Sequence, residues 1–236
     1  MLEENSEFFG VSKLKLMQNA GGNCAKEIKK IMFKKKIKKE GVLVVAGQGN
    51  NGGDGMVIAR ELGCNIFFIG KKEKLKKEAL ANYNKLNKKQ FVTSSELDVA
   101  LSNAKIIVDA LLGTGVKGKI KNPYASVIRK VNKTNAYKIS IDVPSGFDAE
   151  NGKGSLFILP NLLLELHDNK IGLKHLNKFR KIQTKVIKIG IPEKAILGVG
   201  PVDIKNIFSV RNKSSHKGDH GKILLIAGSE EYPGAV

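Results

Sequence analysis

No run of about 18 apolar residues occurs in the chain, so the sequence offers no membrane-spanning helix. Cysteine is scarce: Cys24 and Cys64 are the two, neither in a Cys-x-x-Cys pair. Both lie in helix-like stretches and read as reduced core thiols of a cytoplasmic protein. The opening Met1-Leu2-Glu3-Glu4-Asn5 is acidic and polar, unlike a secretory leader. Acidic residues are also few. Lys and Arg number 41 against 22 Asp and Glu, a net charge of +19, yet arginine is nearly absent from that excess. The lysine runs at 34–36, 38–39 and 71–72 lack the interleaved aromatics that stack on bases. With so little arginine to fork onto phosphate or guanine, the charge reads as a solvated lysine-rich surface rather than a nucleic-acid site. The same field favours an anionic small molecule. A Gly-x-Ser-x-Gly elbow is missing, and no histidine is placed to activate Ser145, which excludes an esterase. His167, His175, His216 and His220 have no ligand-like pairing with cysteine and read as surface or turn residues.

The chain's 236 residues can hold one large domain, or one domain and a piece of another, and 42% hydrophobic residues are enough for a real core. Ser12 is a plausible N-cap, followed by Leu14, Met17, Ala20, Cys24, Ile28 and Ile31 at helical spacing. Strand-like runs at 42–46, 65–69, 105–110 and 137–143 then alternate with helix-like runs at 53–62, 73–86, 95–102 and 123–131. Further strands are predicted within 156–166 and 182–191. Such alternation predicts an α/β fold, a Rossmann-like three-layer αβα sandwich around a mainly parallel sheet. Gly200-Pro201 looks like a boundary. Beyond it, residues 216–221 lead into a short apolar strand at 222–227 and a glycine turn, too little to make a core alone. This tail reads as the truncated start of a second α/β domain.

Three strand ends carry the polar chemistry. The run Val42–Ala46 leads into Gly47-Gln48-Gly49-Asn50-Asn51-Gly52-Gly53-Asp54-Gly55, where glycines let backbone N–H groups close on a ligand. Gly47, Gly49 and Gly52 fit the dinucleotide pattern Gly-x-Gly-x-x-Gly. Two features oppose an ordinary nicotinamide oxidoreductase. The second strand's tip, Phe68-Ile69-Gly70-Lys71-Lys72, lacks the ribose-binding acid, and Asp54 in the first helical turn competes with phosphate for the same N–H groups. The second strand end is Asp109, followed by Gly113-Thr114-Gly115-Val116-Lys117-Gly118-Lys119. The third is Asp142-Val143-Pro144-Ser145-Gly146. Asn51, Asp109 and Ser145 are all hard oxygen donors, a set suited to an alkali or alkaline-earth cation and not to zinc.

In combination these motifs resemble the NAD(P)H-hydrate epimerase family: Gly-x-Gly-Asn-Asn-Gly-Gly-Asp-Gly at 47–55, Asp-Ala-Leu-Leu-Gly-Thr-Gly at 109–115 and Asp-Val-Pro-Ser-Gly-x-Asp at 142–148. Leu16-Met17-Gln18-Asn19-Ala20-Gly21 is similar to its N-terminal helix signature, Lys170-Ile171-Gly172-Leu173 and Ile189-Gly190-Ile191-Pro192 to its closing segments. The resemblance implies an epimerase domain at 1–199. At 200–236 it implies a linker and an incomplete start of an ADP-dependent, ribokinase-like NAD(P)H-hydrate dehydratase domain, with no dehydratase activity expected.

It also implies an isomerase of nicotinamide nucleotide repair that interconverts the R and S forms of NADHX and NADPHX, the hydrates of NADH and NADPH at C6 of the nicotinamide ring. It is expected to act as a homodimer. By position, Asn50, Asn51, Gly52, Gly53, Asp54, Gly113, Thr114, Gly115, Val116, Lys117, Gly118, Lys119 and Asp142 would contact the nucleotide. Asn51, Asp109 and Ser145 would bind potassium, and Asp109 and a lysine would be catalytic, the lysine being Lys71 or its neighbour Lys72. Gln18, where the family usually has glutamate, and Leu159-Pro160-Asn161-Leu162, in place of Ala-Asp-x-Thr, depart from the pattern. The alternative is a non-catalytic RNA- or protein-binding scaffold on the same fold, for which the full acidic set would be superfluous.

Overall fold

The computed structural model describes residues 2–115, 118–178, 181–198, 200 and 203–204. The chain divides into two compact units, 1–198 and 199–236. The expectations for Val116 and Lys117, and for the strand and turns at 216–236, lie outside the described residues.

The first unit begins with α1 (Leu2–Phe8) and α2 (Lys13–Lys35). Ser12 caps α2, its side chain accepting the Lys15 N–H, and Met17, Ala20, Cys24 and Ile28 form the buried stripe that the spacing predicts. Strand β1 (Val42–Ala46) is buried at all five positions, as a strand covered on both faces must be. Then come α3 (Asn50–Leu62), β2 (Asn65–Phe68), α4 (Lys77–Tyr83), β3 (Phe91–Val92), α5 (Leu97–Asn103), β4 (Ile106–Ala110), α6 (Tyr124–Lys133), β5 (Tyr137–Ile141), β6 (Leu162–Leu166), β7 (Gln183–Ile187) and α7 (Glu193–Leu197). All strand pairs are parallel, in the order β3-β2-β1-β4-β5-β6-β7.

Alternate residues of β1 divide the core. Val42, Val44 and Ala46 join the layer that contains Cys24 and Ile28 of α2, Val57 and Ile58 of α3, and Ala79 of α4. Leu43 and Val45 join the opposite layer with Leu97 and Leu101 of α5 and Ile128 and Val131 of α6. The three-layer αβα sandwich is therefore the observed fold. The order in which strands are added reverses between β1 and β4, and in open parallel sheets ligands bind at the carboxyl ends of that pair.

Several element boundaries differ from the sequence pattern. The helix expected over 73–86 is a 3-10 turn, Lys72–Lys74, and the shorter α4; Leu75 between them is extended. Residues 156–161 are apolar but not strand. Ile158 instead donates its N–H to the Ser145 carbonyl, Pro160 has no N–H to give a ladder, and pairing starts at Leu162. Beyond β7, Ile189 leaves the sheet to pack on Leu16 and Ala20. Its carbonyl accepts from the Asn19 side chain at 2.9 Å.

The helix after β1 begins at Asn50, three residues before the expected start. Its glycines are thus less an open loop than a close-packed first turn. A Cβ on Gly52 would lie 1.7 Å from the Gly47 carbonyl oxygen, and one on Gly55 would lie 2.6 Å from the Ala110 Cβ. α2 crosses α3 under the same rule. A Cβ on Gly21 would lie 2.4 Å from the Val57 Cβ, whereas Gly22 beside it faces open space. The two neighbours therefore respond oppositely to one methyl group. Gly21→Ala is expected to destabilise by about 1–3 kcal/mol through overpacking. Gly22→Ala is expected to stabilise by about 0.5–1 kcal/mol through helix entropy. Urea unfolding of the two variants checks the sign of each.

Candidate active site

Asp109 is the last residue but one of β4 and is wholly buried. Among the described residues no lysine or arginine meets it. Four donors do: the Ser140 hydroxyl at 2.7 Å, the Ser145 N–H at 2.9 Å, the Leu111 N–H at 3.3 Å and the Ser145 hydroxyl. Strand register brings the first about, since Ser140 of β5 stands opposite Asp109. Burial pushes the Asp109 carboxyl above the usual aspartate range, opposed by the hydrogen bonds from Ser145, Ser140 and Leu111.

The same cluster reaches α3. Asn51 donates its side-chain N–H to the Leu112 carbonyl at 2.9 Å, and the Leu112 N–H donates to the Ser145 hydroxyl oxygen at 2.8 Å. That use of the amide nitrogen fixes the orientation of Asn51. Its Oδ1 is left buried without a hydrogen-bond partner. A buried acceptor in that state costs about 1–3 kcal/mol unless something electropositive meets it. Asn51, Asp109 and Ser145 therefore form one cluster of hard oxygens, which fits a hard cation. Among the described residues no group of three His, Cys, Asp or Glu is placed to hold a metal ion.

Over this cluster opens a cavity of about 790 Å³. Of the residues expected to contact a nucleotide, Asn50, Asn51, Asp54, Gly113, Thr114, Gly115 and Asp142 line it. Gly52 and Gly53 lie behind the wall in the first turn of α3, and Gly118 and Lys119 are not among the lining residues. Asp109 and Ser145 do not line it either; they sit beneath its floor. Lys71 and Lys72 are both exposed and away from the lining, Lys72 resting over the Tyr83 ring. The lysines that do line the cavity are Lys76, just before α4, and Lys170. In the sequence Lys170 is singled out only within the segment 170–173, and Lys76 not at all, because lysine is too abundant in this chain to stand out.

Lys170 is not a free cation. Its ammonium lies 2.6 Å from Asp142, which the chain holds at φ 66° just past β5. Its backbone N–H donates to Glu165 at 2.8 Å. Asp54 lies 7% exposed on α3, and its carboxyl is pushed well above the usual range, first by burial, then by Asp142 and Glu3. The first turn of α3 begins at Gly49 with no side-chain cap, which leaves it suited to receive an anion.

The family model described as YjeF-related protein N-terminus matches residues 13–172. The chain belongs to this family. The matched span of the YjeF-related domain includes the oxygen cluster and the motifs at 47–55, 109–115 and 142–148. It is 36% identical over 241 residues to the "Bifunctional NAD(P)H-hydrate repair enzyme Nnr" of Archaeoglobus fulgidus, covering 100% of this chain and 49% of that relative. Against the protein of that name from Methanothermobacter thermautotrophicus it is 36% identical, over 98% of this chain and 46% of the relative. The chain thus spans about half the length of these relatives. The "NAD(P)H-hydrate epimerase" of Nitrosopumilus maritimus is 34% identical over 84% of this chain and 95% of its own length. The crystal structure of yeast ynu0 has a TM-score of 0.68 at 26% identity, covering 86% of this chain and 89% of that one.

The hydroxyl of Ser145 ties the YjeF-related domain's cluster together from both sides. Ser145→Ala removes a donor from Asp109 and strands the Leu112 N–H, a cost of about 1–3 kcal/mol for the buried group left unpaired. Ser140→Ala removes one donor and strands nothing, so its loss in guanidinium melts is expected to be the smaller.

Proposed function

We propose that this domain epimerises NADHX and NADPHX, interconverting the R and S configurations at C6 of the hydrated nicotinamide ring. One observation carries the reading: a nucleotide-sized cavity at the sheet's switch point, floored by the Asn51–Asp109–Ser145 oxygen cluster. The volume, about 790 Å³, lies within the range of small-molecule sites. The uncapped start of α3 can receive the pyrophosphate. The likeness to the Nitrosopumilus maritimus epimerase along 95% of that protein's length supports the same activity.

C6 of the substrate carries a hydroxyl and a ring nitrogen and is a carbinolamine. Inverting it requires either breaking the C–O bond, with charge passing to nitrogen, or opening the ring at the C–N bond, and then closure on the other face. Proton transfer to and from oxygen is needed, together with negative charge near the cationic ring. In the cavity, Asp142 and Asp54 stand within the lining, while Asp109 acts from below it. The place of Lys76 in the lining, and the Asp142 pairing of Lys170, support Lys76 over the exposed Lys71 and Lys72 as the lysine that meets the substrate.

Asn51, Asp109 and Ser145 would hold potassium, which would supply a fixed positive charge to the buried carboxylate. The orphaned Asn51 Oδ1 supports that assignment. Proton and cation compete for Asp109, whose proton affinity burial has raised. Potassium should therefore bind more weakly as pH falls, and its stabilising effect should shrink from pH 8 to pH 5. A bound cation at 100 times its Kd adds about 2.7 kcal/mol. Thermal melts in potassium chloride against an equal concentration of N-methylglucamine chloride measure the effect, and Asn51→Leu is expected to abolish it.

A homodimer belongs to this reading, and exposed Phe33 near the end of α2 offers such an assembly apolar surface to bury. The assay is conversion of R-NADHX to S-NADHX, followed by chromatography or NMR. Lys76→Met is expected to lower kcat/KM by at least about tenfold, and Lys71→Met to leave it within about twofold, since one ion contact is worth about 1–2 kcal/mol. Salt-dependent RNA binding without turnover would instead favour a scaffold.

A further inference from the structure

Two deeply buried acids belong to this site, and they differ in what they can reach. Asp109 is fully enclosed, accepts four hydrogen bonds and borders no part of the cavity. A proton on it has no direct path to a substrate atom. Asp54 lines the cavity and also a smaller one of about 280 Å³ beside it, between α1 and α2. Although only 7% exposed, its carboxyl accepts no hydrogen bond and forms no ion pair among the described residues.

The groups around Asp54 come from every neighbouring element. Glu3 of α1 and Asp142 beyond β5 raise its proton affinity, and Cys24 of α2 is close enough for its own thiol to feel Asp54. Lys76, Lys13, Glu4 and Glu78 share the rim of the smaller cavity. Lys170 is already paired with Asp142. Among the described residues no neighbour satisfies the Asp54 oxygens, so their natural partner is a molecule bound in the cavity.

We propose that Asp54 is a catalytic residue, the acid–base group that exchanges a proton directly with the C6 hydroxyl of the hydrated nucleotide. This rests on the epimerase reading above. The carboxylic acid gives its proton to the departing hydroxyl oxygen as the C6–O bond breaks. The electron pair of that bond leaves with the oxygen as water, and the ring nitrogen's lone pair closes a C=N bond that carries the positive charge. Water then adds to the opposite face of C6, the nitrogen regains its pair, and the water's extra proton returns to the Asp54 carboxylate. Nothing is oxidised or reduced, and one water is released and one is consumed. Burial suits the resting state to this task, because it favours the protonated carboxyl over the carboxylate.

The test compares wild type, Asp54→Asn and Asp54→Glu in the R-to-S assay across pH, with thermal melts as the check on folding. General acid–base groups contribute about 10²–10⁴-fold, so Asp54→Asn is expected to lose at least about 100-fold in kcat with KM little changed. Wild-type kcat should fall on the alkaline side, as pH rises through the raised pKa and the acid is lost. That limb should vanish from the residual rate of Asp54→Asn, and in Asp54→Glu part of the rate should return with the limb displaced. An Asp54→Asn variant that is folded and keeps wild-type kcat overturns the assignment. So does a slowed variant that retains the alkaline limb, because a packing role would leave the pH profile unmoved. A wild-type protein that binds nucleotide without any turnover overturns the epimerase reading beneath it, a result distinct from either of these.

Discussion

Asp109 is buried with no positive side chain beside it among the described residues. A carboxyl group taken out of water must be met by donors or a cation, or remain protonated. Here the donors come from three places: the backbone after β4, the strand β5 and the turn after β5. Meeting that one requirement fixes where Ser145 and the chain at 111–112 must lie. Leu112 in turn receives the Asn51 side chain and so ties α3 to the same cluster. The cavity floor is thus a solution to a desolvation problem, and the unpartnered Asn51 oxygen is the place where that solution is incomplete without a ligand.

Close packing does the remaining positioning. Gly47 and Gly52 let the turn after β1 fold tightly onto itself, and Gly55 lets α3 lie against β4 at Ala110. Gly21 lets α2 settle on α3. Together they press the start of α3, with Asn50, Asn51 and Asp54, over the ends of β1 and β4. Side chains at those glycines would lift the helix, and the Asn51 contact to Leu112 would be the first lost.

How much of this was legible depended on the kind of signal each element carries. The central strands β1, β4 and β5 are unbroken apolar runs because both faces are covered, and they read directly. Edge strand β3 is only Phe91-Val92, too short to show a period, and α1 is a polar stretch whose place comes from tertiary contact. Residues 156–161 have a buried strand's composition, but their apolar side chains serve a loop; Pro160 was the mark against pairing. In the site, Asn51, Asp109 and Ser145 were legible because each is a polar residue where an apolar strand or glycine turn should continue. Lys76 was not, since nothing local separates it from the chain's other lysines, and Lys170 showed only as part of the segment 170–173. The early start of α3 was hidden for a related reason: glycine normally argues against a helix, and here it is required by the packing of one.

The sequence set Asp54 against a phosphate-bearing ligand, because a carboxylate in the first turns of α3 would compete for the helix's positive end. The fold removes that conflict. Buried beside Asp142 and Glu3, Asp54 favours its neutral form, and a neutral acid neither repels an anionic nucleotide nor occupies the N–H groups at the head of the helix. Asp142 keeps its charge compensated by Lys170, so it too leaves the cavity open to an anion. The two deeply buried acids therefore diverge by surroundings alone. Asp109, surrounded by donors, is equipped to hold negative charge in place, whereas Asp54, with none, is equipped to hold a proton until something in the cavity takes it.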